Sequence, residues 1–158
     1  MKTKKGKNKK KRIVEILVRG VILKNNKVLF CKKKNKNYYF LPGGHLEFGE
    51  SIEEALSREI KEELGVKIKN SSFIGITEHL FTEEGKVYHE INIIYKIVLD
   101  KITLNSKEDH LEFFLLTKKQ VKEKNILPKI LKKALLRWLE NKKPFLASQF
   151  RKKIRKIC

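Results

Sequence analysis

The sequence predicts an α/β protein in which a mixed β-sheet lies between layers of helices. Strand-like apolar segments stand on both sides of one central amphipathic helix, and two further helical segments follow near the end of the chain. Strands that enclose a helix along the chain, with helices at the end, are typical of a sheet covered on both faces. With 158 residues, the chain is long enough for one such domain with a proper core.

Short apolar runs between turn residues predict the strands. A turn at Asn25 and Asn26 joins the first two strands into a hairpin, and Gly43 and Gly44 follow the third strand as the start of a glycine-rich loop. The predicted strands are residues 13–23, 27–31, 38–41, 72–77, 87–99 and 112–116, and the late helices are residues 118–124 and a segment that begins near Pro128.

The central helix is predicted over residues 52–64. Ser51 is a good N-cap, and Glu54 three residues later completes a capping box. No proline or glycine follows before Gly65, which suits the C-terminal end of a helix. At about 100° per residue, the apolar stripe that faces the core consists of Ile52, Leu56, Ile60 and Leu64.

Three carboxylates on this helix, those of Glu59, Glu62 and Glu63, border the apolar stripe instead of lying opposite to it. Like charges one turn apart repel each other, and a partly buried ionised carboxylate is costly unless a cation compensates it. A hard divalent cation such as Mg²⁺ or Mn²⁺ prefers oxygen ligands and would supply that compensation. The alternative is an ordinary solvated acidic helix, and the helix geometry alone leaves both open.

The residue spacing around the helix favours the metal. From Gly44 to Val66 the chain reads G-x5-E-x7-R-E-I-x-E-E-x-G-V. This resembles the Nudix box, G-x5-E-x7-R-E-U-x-E-E-x-G-U with U an aliphatic residue, at every fixed position. The resemblance implies the Nudix-type α/β/α sandwich with a mixed sheet, a divalent cation as cofactor, and hydrolysis of a nucleoside diphosphate linked to another group.

The resemblance also implies roles for individual residues. Glu59, Glu62 and Glu63 look like metal ligands, together with the backbone carbonyl of Gly43. Glu59 is similar to the family carboxylate that either binds metal or acts as general base, and both roles stay open. The expected catalytic residues are Arg58, Glu59 and Glu62. Bound Mg²⁺ would neutralise the charge of the diphosphate and acidify the attacking water, with Mn²⁺ as an alternative ion.

Further residues of the motif are expected to support this centre. Arg58 is implied to orient a carboxylate, and Glu50 is its natural partner. Glu47 lies in the motif loop and is expected at the outer shell of the metal. Gly44 and the glycine before it have no side chain to keep a phosphate away from the backbone, and His45 beside them is a candidate to touch the substrate.

Candidates also stand outside the motif. Some members of the family add an acid from another loop, and Glu108, Asp109 and Glu90 are the candidates here, each with a solvated acid as its alternative. The aromatic run at residues 38–40 is available to stack on a base, although core packing is the default for such residues.

The net charge of +20 is concentrated at the two ends of the chain. Residues 1–12 hold eight Lys or Arg and residues 151–158 hold five, with no acid in either, so the 25 basic and 18 acidic residues of 13–150 leave +7 there. The predicted division is a basic tail at 1–12, a domain at 13–141 and a basic tail at 142–158. Such tails can bind polyanions, but the excess of Lys beside many Ile and Asn also fits an AT-rich coding bias, which is the preferred explanation.

Two cysteines, Cys31 and Cys158, suggest neither a disulfide framework nor a metal site, and no apolar run is long enough to span a bilayer. A cytoplasmic protein is therefore expected. The resemblance to the Nudix family implies a nucleotide-type substrate. Two other functions stay open. One is an RNA 5′-end pyrophosphohydrolase that holds its strand with the basic tails, and the other is a non-catalytic nucleotide-binding module on the same fold.

Overall fold

The computed structural model describes residues 11–150 and the backbone of residues 155–156. Residues 1–10 of the basic tail predicted at the start, and residues 151–154 and 157–158 of the one predicted at the end, lie outside the described residues. The helices are α1 (Ile52–Leu64), α2 (Lys118–Glu123) and α3 (Lys129–Asn141). The strands are β1 (Arg12–Lys24), β2 (Lys27–Lys33), β3 (Ile68–Glu83), β4 (Lys86–Leu99), β5 (Leu111–Thr117), β6 (Phe145–Ser148) and β7 (Arg155–Lys156).

The seven strands of the described residues form one mixed sheet in the order β5-β2-β1-β4-β3-β6-β7. β1 runs parallel to β4, and β4 pairs with β3 in a long antiparallel hairpin. β1 and β2 pair beside their turn, at Leu23 with Val28 and at Lys24 with Lys27. The two strands then diverge, which leaves the earlier part of that edge of β1 available to the loop that precedes α1.

Helices cover both faces of the sheet. On β1, Val18 and Ile22 belong to the core cluster that includes α1, whereas Val21 belongs to the cluster that includes α3. Successive residues of a strand point to opposite faces, so this alternation places α1 on one face and α3 on the other. The predicted α/β/α sandwich with a mixed sheet is confirmed. None of the helices among the described residues is long and apolar enough to span a bilayer.

The central helix has the predicted ends. Ser51 Oγ accepts the N–H of Glu54, and the Glu54 carboxylate accepts the N–H of Ser51, which closes the capping box. Gly65 ends the helix in the left-handed conformation with φ 67°, where a residue without a side chain avoids steric strain. α1 is thereby fixed at both ends, and the spacing of the acidic residues along it is converted into a defined geometry.

Two elements differ from the prediction. The strand predicted at 38–41 is a connector with single bridges, because Tyr39 shares its backbone hydrogen bonds with Asn125 and Leu127 in the α2–α3 linker. Residues 145–148, assigned to a basic tail, form β6 in parallel pairing with β3. Phe145 and Ala147 are buried there. Two lysines and a proline precede β6 and hide its short apolar pattern from a reading of the sequence.

Candidate active site

The glycine-rich loop lies along the edge of β1 that β2 leaves free. The N–H of Val18 donates to the carbonyl of Gly44, and the N–H of Gly20 donates to the carbonyl of Pro42, each at 2.9 Å. The loop therefore behaves like a short extra strand whose position is set by β1. Rigid attachment of this kind holds backbone groups at a fixed place next to α1.

A Cβ at either loop glycine would meet a close neighbour, and only Gly43 also has an unusual backbone conformation. Gly43 has φ 117°, and a Cβ at this position would overlap with the backbone carbonyl of Val18. A Cβ on Gly44 would overlap with the carboxylate of Glu59. The loop and α1 thus approach so closely that the Glu59 carboxylate rests directly against the backbone.

Arg58 connects the acidic residues of the site. Its Nε and Nη2 donate to the two carboxylate oxygens of Glu50 at 3.1 and 2.8 Å. Its Nη1 donates to Glu59 at 2.9 Å and to Glu62 at 3.3 Å, and Nη2 also donates to the carbonyl of His45 at 3.0 Å. One guanidinium group therefore orients three carboxylates and the motif loop at once, which a lysine ammonium could not do with the same geometry.

The Arg58–Glu50 pair is charged at neutral pH. The hydrogen bonds from Arg58 lower the pKa of Glu50, and those same bonds raise the pKa of Arg58. The N–H of Glu47 also donates to Glu50, at 2.7 Å, while the Glu47 side chain itself is exposed. Glu47 thus supports Glu50 through its backbone in this structure.

Glu63 is the buried acid of the site. It is 5% exposed, and the hydrogen bond recorded for its carboxylate among the described residues comes from the N–H of Gly43, at 3.1 Å. Burial raises the pKa of Glu63 to about 8, although Arg19 and the Gly43 N–H oppose the shift. A buried carboxyl with so few donors around it is short of positive charge.

The three acids of α1 differ in their exposure to solvent. The side chain of Glu59 is 16% exposed and that of Glu62 is 52% exposed, whereas Glu63 is buried. Glu63 contacts Gly43, and Glu59 lies against Gly44. Glu63 and Glu59 therefore lie against the glycine loop, and Glu62, which accepts a hydrogen bond from Arg58, continues the row toward solvent.

Arg19 and Asn92 were missed as site residues. Arg19 donates through Nη1 to the carbonyls of Gly43 and Leu41, and through Nε to Oδ1 of Asn92 at 3.3 Å. Asn92 is fully buried and donates to Glu90 at 2.6 Å. A single arginine in the apolar run of β1 was the available signal, and the strand pairing that brings Asn92 to it was not visible in the sequence.

The acids expected outside the motif lie in different places. Glu90 projects from the face of β4 that carries Asn92, which is opposite to the face covered by α1. The loop with Glu108 contacts the last turn of α1, where the N–H of Lys107 donates to the carbonyl of Glu63 at 2.7 Å. The charge of Glu108 contributes to the raised pKa of Glu63. Asp109 is exposed.

His45 and the aromatic run flank the loop. The His45 side chain is 62% exposed, with Nε2 3.6 Å from the Glu15 carboxylate. Tyr39 stacks edge-on against Phe114, and the Arg19 guanidinium lies 5.7 Å from the Phe40 ring centroid. Tyr39 and Phe40 are therefore engaged by packing, whereas the His45 ring remains accessible beside the two glycines.

The donor set fits a hard divalent cation. Carboxylates of Glu59, Glu62 and Glu63 and the carbonyl of Gly43 are oxygen donors of the type that Mg²⁺ prefers. Among the described residues, no three acidic, His or Cys side chains already converge as a metal cage. Instead, Arg58 hydrogen-bonds to Glu59 and Glu62, and Arg19 hydrogen-bonds to Gly43. The buried and poorly compensated Glu63 is the observation that matches a cation.

Alanine substitutions at the two glycines of the loop are expected to differ in their effect on stability. Gly43→Ala is expected to destabilise the fold by about 3 kcal/mol, because its Cβ meets an immovable backbone carbonyl at an unfavourable φ. Gly44→Ala is expected to cost less than about 1 kcal/mol, since the Glu59 side chain can rotate away. Urea unfolding measures both values. Equal losses of stability in the two variants would contradict this assignment.

Comparisons with known proteins agree with this geometry. A family model described as NUDIX domain matches residues 15–139. The chain is 41% identical over 90 residues to an ADP-ribose pyrophosphatase of Methanocaldococcus jannaschii, covering 55% of this chain and 51% of that protein. It is 28% identical over 102 residues to an 8-oxo-dGTP diphosphatase of Buchnera aphidicola, covering 54% of this chain and 78% of that protein. The chain thus spans about half the length of the first of these relatives.

The fold is similar to that of solved structures. The MutT protein from Bacillus halodurans superposes with a TM-score of 0.70 over 90% of this chain and 97% of that one, at 22% sequence identity. An identity this low supports the fold alone. The match of the NUDIX domain over most of the chain, together with the complete motif on α1, shows that the chain belongs to the Nudix hydrolase family.

Proposed function

We propose that this protein is a Mg²⁺-dependent pyrophosphohydrolase that cleaves the diphosphate linkage of a nucleoside diphosphate derivative. The observation that carries the proposal is the buried Glu63, which lies with Glu59 against the glycine loop and in one row with the more exposed Glu62. Such a row is costly without a cation, and a diphosphate is the kind of substrate that a cation and a glycine loop bind together. The relatives named for ADP-ribose and 8-oxo-dGTP support a nucleotide substrate.

The proposed ligands of the cation are the carboxylates of Glu59, Glu62 and Glu63 and the carbonyl of Gly43. When bound, Mg²⁺, or Mn²⁺ in its place, neutralises substrate charge and lowers the pKa of a water molecule. A cation also compensates the buried charge of Glu63, whose pKa would otherwise stay near 8. Metal binding and ionisation of Glu63 are therefore expected to occur together.

The residues of the chain then have distinct tasks. One oxygen of Glu59 accepts the hydrogen bond from Arg58, and the other is left to accept the proton of the attacking water. The water oxygen forms a bond to phosphorus, and the bond between that phosphorus and the bridging oxygen breaks, with the electron pair leaving on the departing phosphate. Arg19, beside the Gly43 carbonyl, is a cation placed to bind a phosphate oxygen.

The motif loop and the location of the protein complete the proposal. His45 is accessible beside the glycines and is proposed to touch the substrate, and Glu47 and Glu50 hold Arg58 in place. A cytoplasmic location, where free thiols such as the buried one of Cys31 persist, is part of the same proposal.

A release screen for phosphate and pyrophosphate tests this function. It covers nucleoside triphosphates including 8-oxo-dGTP, ADP-ribose, dinucleoside polyphosphates and 5′-triphosphate RNA, each with Mg²⁺ and with EDTA. Turnover of a small nucleotide that EDTA abolishes is the expected result. Turnover of the RNA alone would move the function to RNA 5′ ends. A folded protein that binds nucleotides tightly without turnover would indicate the non-catalytic module instead.

A double-mutant cycle tests the task of Arg58. Arg58→Lys and Glu50→Gln each break the two-pronged contact and are expected to lower kcat by about 10- to 100-fold. Arg58→Lys also disturbs the bonds to Glu59, Glu62 and the His45 carbonyl, so it is expected to be the more harmful single change. Because Glu50→Gln removes a contact that Arg58→Lys already removes, the double variant is expected to lose little more than Arg58→Lys alone. Steady-state kinetics on the substrate found in the screen measures the three values. Losses that multiply would show that the two residues act independently.

A further inference from the structure

The charge of the folded part of the chain is not evenly distributed. Residues 118–143, which contain α2 and α3, hold ten basic and two acidic residues, or +8. The remainder of residues 13–150 holds 15 basic and 16 acidic residues, or −1. A coding bias toward lysine would raise the positive charge of all exposed surfaces. It therefore does not explain why the charge is concentrated on α2 and α3.

The outer face of α3 carries a row of cations. Lys129, Lys133 and Arg137 are exposed and four residues apart, on the side opposite to the buried Leu135 and Trp138. Positions four apart on a helix are neighbours about 6 Å from each other, so these like charges repel. Among the described residues, no salt bridge is recorded for any of the three. We call Lys129, Lys133 and Arg137 the α3 row.

The acid next to this row is already neutralised. Glu140 lies on the same side of α3 and accepts a hydrogen bond from Lys118 of α2 at 2.8 Å. Lys132 donates to two carbonyls at the end of α2, those of Lys122 and Lys124, at 2.7 Å each. The two helices are therefore tied side by side. The exposed lysines of α2 then extend the same positive surface.

The chemistry of the surface favours a linear polyanion. None of the exposed large apolar side chains of the described residues lies in α2 or α3, and the apolar side of α3 is packed on the sheet. Insertion into a membrane requires an apolar face that is free, and α3 does not offer one. Evenly spaced cations without exposed aromatic residues match phosphates that repeat along a strand.

We propose that the outer faces of α2 and α3 bind the phosphate backbone of single-stranded nucleic acid, without reading its sequence. This contact is separate from hydrolysis at α1 and does not depend on the substrate proposed above. Because phosphates are the groups recognised, RNA and DNA strands of equal length and ionic conditions are expected to bind alike.

The surface has a short connection to the glycine loop. The N–H of Leu127, just before α3, donates to the carbonyl of Tyr39 at 2.9 Å. Gly43 is four positions after Tyr39 in the chain, and an extended chain of that length spans at most about 14 Å. The start of α3 is therefore joined to the glycine loop through this short stretch of chain.

Fluorescence anisotropy with a labelled 15-nucleotide oligouridylate tests the surface. The full chain is compared with the triple variant Lys129→Gln, Lys133→Gln, Arg137→Gln, in which glutamine keeps the helix propensity. Removing three phosphate contacts is expected to reduce the slope of log Kd against log salt concentration by about 2, and to weaken binding about 10- to 100-fold at 0.1 M salt. An oligodeoxythymidylate of the same length is expected to give the same change.

A matched control removes the same charge elsewhere. Lys69, Lys86 and Lys101 lie outside α2 and α3, and their triple glutamine variant is expected to keep the original slope. Circular dichroism and thermal unfolding check that both variants are folded. Equal slopes for the two triple variants would overturn the proposal, because net charge alone would then explain binding. Binding of anionic phosphatidylserine vesicles through the α3 row, without binding of the oligonucleotides, would also overturn it.

Discussion

Replacing Glu62 with glutamine is expected to lower kcat by about 100- to 1000-fold while the free energy of unfolding stays within about 0.5 kcal/mol of the original. Half of the Glu62 side chain is exposed, and its contact is a hydrogen bond from Arg58 at 3.3 Å. Glutamine has the same size and still accepts that bond through its amide oxygen. The variant therefore removes negative charge from the proposed metal site without disturbing the packing of α1.

Glu53→Gln is the matched control. Glu53 is an exposed acid in the first turn of the same helix, away from the glycine loop. Its replacement removes one charge from α1 as well, but kcat is expected to change less than about twofold, because surface substitutions away from a site have small effects. Steady-state kinetics at saturating Mg²⁺ measures kcat, and urea unfolding measures the free energy of unfolding. Full turnover in Glu62→Gln would contradict the proposed role of this residue as a metal ligand.

The position of these acids was predictable because local rules determine it. A capping box and a glycine stop fix the ends of α1, and the period of the helix then decides which acids turn toward the core. That logic predicted Glu63 beside the apolar stripe, and Glu63 is buried while Glu62 is half exposed. The sequence was sufficient to predict the positions of these acids because all the residues involved lie in or next to one helix.

The remainder of the site depends on contacts between distant segments. Arg19 and Asn92 are 73 residues apart and meet because β1 and β4 run side by side. Nothing in a single sequence gives the register of two strands from separate hairpins. The parallel pairing of β6 with β3 was missed for the same reason. So were the backbone hydrogen bonds of Tyr39 to the α2–α3 linker. The residues that complete the site are therefore those supplied by pairing between strands and loops.

Glu63→Gln is expected to lower kcat at least as much as Glu62→Gln does, but, unlike that variant, it is also expected to change the stability of the fold. Burial raises the pKa of Glu63 from 4.5 to about 8 in the folded protein. Between these two pH values the folded state holds a proton that the unfolded chain has released. The stability of the metal-free protein therefore falls as pH rises through this window, by as much as about 1.4 kcal/mol per pH unit. Glutamine is neutral at every pH and removes this loss.

Urea unfolding in EDTA at pH 5.5 and pH 8.5 measures the effect. The original protein is expected to lose on the order of 2 to 4 kcal/mol of stability between the two pH values through this group. Glu63→Gln is expected to lack that loss and to be the more stable protein at pH 8.5.

Saturating Mg²⁺ binds the ionised carboxylate, so it is expected to stabilise the original protein at pH 8.5 and to have little effect on the variant. Parallel pH profiles in EDTA would show that burial does not keep Glu63 protonated. Equal stabilisation of both proteins by Mg²⁺ would instead place the cation away from Glu63. The two results together therefore separate the cost of burying this acid from its role as a ligand.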